Sequence, residues 1–147
     1  MFKVFVRKRK GFTLVELVMV IAIIGVLAAI IMPKFSSQKT KADDAATRAN
    51  LENLRSALQM YMSDDANVLP ITGPTLETAL LTMMRSIPDA RVINATNPVS
   101  NAIVMGGAMP SGNNGGWWYY YVSPTEYDIY VNSAAPTADG TTTYDQW

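Results

Sequence analysis

The chain has 147 residues, no histidine, no cysteine, and twelve Lys and Arg against twelve Asp and Glu. Without cysteine there is no disulfide staple and no thiol chemistry, and without histidine the nucleophile and base systems reduce to Ser with Lys or to paired carboxylates. Five cations, Lys3, Arg7, Lys8, Arg9 and Lys10, crowd the N-terminus, so the rest of the chain is acidic and a nucleic-acid backbone is excluded as a general partner.

After this basic head come Gly11 and an apolar run from Phe12 to Met32 that carries one carboxylate, Glu16. As a helix, rising about 1.5 Å per residue, the run spans roughly 30 Å, enough to cross a bilayer. Positive flanks stay cytoplasmic, which sends the C-terminal part outward. The run is long and ends in Ile31-Met32-Pro33-Lys34-Phe35, without the small residues of a secretory cleavage site, so ordinary signal cleavage is not expected. An ionised carboxylate four residues inside such a segment costs roughly 2–3 kcal/mol, so Glu16 needs a partner. A plain single-pass anchor accounts for length and orientation but leaves Glu16 and the abrupt Gly11-Phe12 junction as coincidences.

Lys10-Gly11-Phe12-Thr13-Leu14-Val15-Glu16, followed by the apolar helix and Pro33, resembles the N-terminus of type IV pilins and pseudopilins, with the helical likeness covering about residues 7 to 62. The resemblance implies that a prepilin peptidase cuts between Gly11 and Phe12 and that the new Phe12 amino group is methylated. It also implies that Glu16 pairs with the Phe12 ammonium of a neighbouring subunit during filament assembly. A charge pair gains more from Coulomb attraction in hydrocarbon than in water, and an unpaired member is penalised, so such a pair sets register. Residues 1–11 would be the cytoplasmic leader, 12–33 the transmembrane and assembly helix, and 34–147 a periplasmic globular domain. Pro33 cannot donate to the helical ladder and Gly25 carries a propensity cost of about 1 kcal/mol, so a helix break between them is expected. Close packing against another helix is the second reading of Gly25.

From about 34 to 63 the pattern is an amphipathic helix, with Thr47, Leu51, Leu54, Leu58 and Tyr61 at spacings of three and four as its core face. The helix signal ends after Ser63-Asp64-Asp65-Ala66-Asn67, and Pro70, Gly73 and Pro74 mark a connection. Thr75 to Ser86 reads as a short helix buried through Leu76, Leu80, Leu81 and Met84, with Pro88 as its stop. The variable loop and short helix fill about 64–116, where Val99 to Met105 is an extra strand candidate. The hairpin and tail occupy about 117–147: Trp117-Trp118-Tyr119-Tyr120-Tyr121-Val122 and Tyr127-Asp128-Ile129-Tyr130-Val131 form antiparallel strands around Ser123-Pro124-Thr125-Glu126. Alternation puts Tyr127, Ile129 and Val131 on the face toward the helix. Packing is the preferred reading of the aromatic block over glycan binding, base stacking or electron transfer.

The strands Trp118 to Tyr121 and Tyr127 to Tyr130 also resemble the closing strands of the major pseudopilin of type II secretion, which implies calcium in the following loop, with Asp139 and Asp145 as candidate ligands. The loop departs from that pattern: extra residues follow Tyr130-Val131 and a Gly-Ala-Asp step is missing. Asp139-Gly140 as a simple turn, with Asp145 a solvated tail residue, is the alternative. Catalysis is not expected, since the adjacent pairs Asp43-Asp44 and Asp64-Asp65 point about 100° apart on a helix and do not converge. The expected architecture is α+β and pilin-like, a long N-terminal helix packed against a small antiparallel sheet. The expected role is that of a homopolymer subunit, foremost the major pseudopilin of a type II secretion system that pushes folded proteins across the outer membrane. A pilin of a true type IV pilus, serving adhesion, motility or DNA uptake, is the alternative. Implied partners are minor pseudopilins or pilins, the prepilin peptidase, and an inner-membrane assembly platform with a cytoplasmic ATPase.

Overall fold

The computed structural model describes residues 11–64, 69–70 and 72–147. The leader cations, Asp65, Ala66 and Asn67 lie outside the described residues. Two compact units divide the chain, one ending at Ser36 and one over Ser37–Trp147, and helix α1, Leu14–Met62, contributes residues to each.

In the first unit every large apolar side chain from Phe12 to Phe35 is exposed, and the most apolar window has a mean hydropathy of 3.0 with none of it buried. α1 runs through both Gly25 and Pro33. The helix is therefore continuous over both residues in the single chain, and Pro33 does not end it. Pro33 forfeits one backbone bond, a loss that the continuous helix on either side tolerates.

In the second unit α1 buries Asp44, Thr47, Leu51, Leu54, Ala57 and Leu58. Helix α2 spans Gly73–Met83, two residues earlier at its start than its leucines indicate. Thr72 and Thr75 form a reciprocal capping box, and Pro74 sits in the first turn, where a missing N–H is no loss. Leu76 and Leu80 are fully buried, but Leu81 is 47% exposed, and Ala79 takes the inward position expected of it. Five residues of helix turn a side chain about 140° from Leu76, out of the core face.

Strands β1, Ala90–Arg91, and β2, Val99–Ser100, pair antiparallel. A second sheet has the order β3-β4-β5, from Ile103–Gly106, Asn113–Ser123 and Glu126–Ser133. β4 and β5 form the expected antiparallel hairpin, with Ser123 opposite Glu126. β3, however, pairs parallel with β4 from Ile103 opposite Trp117 to Gly106 opposite Tyr120, so the sheet is mixed and not wholly antiparallel. Residues 107 to 112 carry the chain back to allow this, and β4 then shifts register against β5 between Asn113 and Trp117, where Gly115 and Gly116 have φ values of +80° and +82°. A Cβ at Gly115 would stand 2.0 Å from the Asn97 carbonyl oxygen and one at Gly116 2.5 Å from that of Ala102, so only glycine fits either place.

The core joins Leu51, Leu54, Leu58, Leu76, Leu80, Trp117, Tyr119, Ile129, Val131 and Tyr144. Alternation along β4 therefore divides the aromatic block. Trp117 and Tyr119 are fully buried, and their polar ends donate to the carbonyls of Pro88 and Pro70, each at 2.7 Å, as buried aromatic donors require.

Candidate assembly site and docked tail

At the head of α1, Thr13 and Glu16 cap one another. The Thr13 backbone N–H and hydroxyl donate to Glu16 Oε2 at 2.8 and 2.9 Å, and the Glu16 N–H donates to Thr13 Oγ1 at 3.2 Å. This reciprocal capping box satisfies donors that a helix terminus leaves unpaired, and the carboxylate also favours the positive end of the helix dipole. Glu16 thus has a local partner that the sequence reading did not assign, although Thr13-Leu14-Val15-Glu16 carries the Thr-x-x-Glu signal. Phe12 is 90% exposed beside it. Gly11 and Gly25 would each meet nothing within 4 Å if given a Cβ, so neither is small for a reason internal to the chain.

Residues 6–32 match the family described as "Prokaryotic N-terminal methylation motif". That motif lies where the sequence resembles the N-terminus of type IV pilins and pseudopilins. The chain is 38% identical to the type II secretion system core protein G of Klebsiella michiganensis over 85 residues, 58% of each chain. It is 41% identical to the core protein G of Escherichia coli K12 over 71 residues, 48% of each chain. Over 59 residues it is 41% identical to the type IV wide pilus major component PilA4 of Thermus thermophilus, 40% of this chain and 45% of that one. The matches thus span about half the length of these relatives. No solved structure matches the chain. Among the described residues one helix, near the N-terminus, is long and apolar enough to cross a membrane, and the methylation motif overlaps it.

In the second unit the C-terminal tail lies on α1 through three side chains of that helix. Asp44, only 8% exposed, accepts from the Ala138 N–H through Oδ2 at 2.6 Å and from the Tyr144 hydroxyl through Oδ1. Arg48 lies over the Trp147 ring at 5.9 Å, and that ring packs edge-on against Tyr144 at 5.0 Å. Arg55 forks onto Asp128, Nε to Oδ1 at 2.9 Å and Nη2 to Oδ2 at 3.1 Å, and Nη2 also donates to the Trp147 carbonyl oxygen at 2.7 Å. Burial, then the bond to Asp44, pushes the Tyr144 hydroxyl well above its ordinary pKa, so it stays a donor at any physiological pH.

Asp139 and Asp145, the two candidate metal ligands, are placed differently. Asp139 Oδ1 accepts from the Thr137 hydroxyl at 2.6 Å and the Thr141 N–H at 3.1 Å, and these bonds, the hydroxyl first, hold its pKa down to about 2. With Gly140 at φ +69° this is a closed turn. Asp145 Oδ1 is buried without a partner among the described residues. Among the described residues no three or more Asp, Glu, His or Cys gather as a metal cluster. Calcium takes about six to eight oxygens, and a donor set with Asp139 Oδ1 already engaged and one other carboxylate fits it poorly.

Proposed function

We propose that this prepilin is a structural subunit of a type IV pilus-like filament, foremost the major pseudopilin of a type II secretion system. The observation that carries the reading is the methylation motif over residues 6–32 joined to 36–41% identity with several proteins named type II secretion system core protein G. On this reading the prepilin peptidase cuts between Gly11 and Phe12 and Phe12 is N-methylated. The apolar stripe from Phe12 to Phe35, exposed in the single chain, is covered first by the bilayer and then by other copies and by minor pseudopilins. The domain over Ser37–Trp147 faces the periplasm, and an inner-membrane platform with a cytoplasmic ATPase supplies the work. The role is structural and not catalytic.

Glu16 is then an exchangeable cap. In the free subunit Thr13 satisfies it, and on assembly the neighbour's Phe12 ammonium becomes available to the same carboxylate. The exchange gives assembly a defined register, since a carboxylate left unpaired in hydrocarbon is penalised. Glu16→Ala is expected to insert and be processed normally yet to lose filaments. Electron microscopy of sheared filaments beside immunoblots of processed protein reads both at once, and normal filaments from Glu16→Ala would contradict the role.

A pilin of a true type IV pilus is the second reading, favoured by the similarity to the Thermus thermophilus pilus component. Deleting the gene separates the two. Loss of an exported enzyme with surface pili intact supports secretion, and loss of surface pili with export intact supports the pilus.

A further inference from the structure

We propose that Asp44 closes the C-terminal tail of this chain by protein contacts alone, in the place where the resembling secretion pseudopilins call for a cation. The inference does not depend on which filament the subunit builds.

A tail of loops without cysteine needs something to hold it against the core. The tail after β5 has few apolar residues, and its regular pairing is slight: one bridge between Pro136 and Thr143 and a single 3-10 turn at Tyr144–Gln146. Its position is set instead by where it meets α1. Asp44 is nine-tenths buried, and a buried carboxylate is stable only when donors surround it. Two donors reach it from the tail: the backbone N–H of Ala138 before the turn and the hydroxyl of Tyr144 after it. One carboxylate thus grips both ends of the Asp139-Gly140 turn, as a cation would by collecting oxygens from each side. The polarity is reversed, because the helix supplies an anion and the tail supplies donors.

The rest of the tail agrees with this arrangement. Asp139 is directed inward on its own turn by Thr137 and Thr141, and the Thr137 hydroxyl also approaches the Thr142 carbonyl oxygen at 3.1 Å. Tyr144 is fully buried, so its ring and its hydroxyl are fixed together. Asp145 Oδ1 alone stands outside this arrangement, the one buried side-chain oxygen among the described residues that lacks a partner.

The test uses the full chain in detergent micelles and reads thermal unfolding together with amide hydrogen exchange of the peptide covering residues 134–147. Adding a calcium chelator, or calcium in millimolar excess, is expected to leave both unchanged. Tyr144→Phe keeps the ring in the core and removes one donor, and it is expected to speed tail exchange roughly tenfold and lower Tm by about 5–10 °C. Asp44→Asn is expected to do the same at Ala138, and Asp145→Asn to leave tail exchange unchanged. Calcium that slows exchange or raises Tm in the wild type but not in Asp145→Asn would overturn the proposal. Unaltered tail exchange in Tyr144→Phe would overturn it equally.

Discussion

Asp44 continues the same three-and-four spacing as Thr47, Leu51, Leu54 and Leu58, so its place on the buried face is written in the sequence. What hides it is residue type: carboxylates are almost never fully buried unless paired, and its partner Tyr144 lies a hundred positions along the chain. Glu16 presents the opposite case. Its importance is plain from a lone charge in an apolar run, whereas its local partner Thr13 needed the capping signal to be weighed beside the membrane argument. Asp139 gives a measurable consequence at this scale. Its folded-state pKa is depressed to about 2 by donors from Thr137 and Thr141, so its contribution to stability is complete above the ordinary carboxylate pKa near 3.9 and is lost as pH falls through about 2. The stability gap between wild type and Asp139→Asn is therefore expected to close between about pH 4 and pH 2, as measured by urea unfolding across that range. A gap that stays constant through the window would contradict the assignment.

Among the elements, the long helix, the short helix and the hairpin were legible because each has a strong local period and its own punctuation. The β3–β4 pairing was not. Ile103–Gly106 is too short to alternate, and whether it pairs parallel or antiparallel depends on the return path over residues 107 to 112, which no local period reports. Thr47 shows how α1 holds the smaller sheet. Its hydroxyl donates to the Arg91 carbonyl oxygen at 3.0 Å and accepts from the Arg91 N–H at 2.8 Å, pairing the backbone of β1 from one fully buried side chain. Arg55 does similar work between α1 and β5, adding a 5.4 Å approach over the Tyr130 ring to its fork on Asp128. Lysine cannot reproduce that fork, so Arg55→Lys is expected to lower stability by about 1 kcal/mol, a modest figure because Asp128 remains 38% exposed at its side chain. Denaturant unfolding of the variant checks this, and a double-mutant cycle with Asp128→Asn isolates the pair.

At the scale of the whole molecule, the two units present different surfaces. The domain over Ser37–Trp147 closes its own core, whereas the apolar side chains from Phe12 to Phe35 lie exposed along α1. Such a surface is stable only in a bilayer or against other helices, and Gly25 offers a place for close approach that none of the described residues occupies. A processed, methylated subunit that moves from membrane to filament accounts for the motif, the exposed stripe and the exchangeable cap at Glu16 together. The most direct measurement is top-down mass spectrometry of the protein purified from its native membrane. The account predicts a chain beginning at methylated Phe12. A chain still beginning at Met1, in cells with an active prepilin peptidase, would contradict it and leave a simple anchored domain.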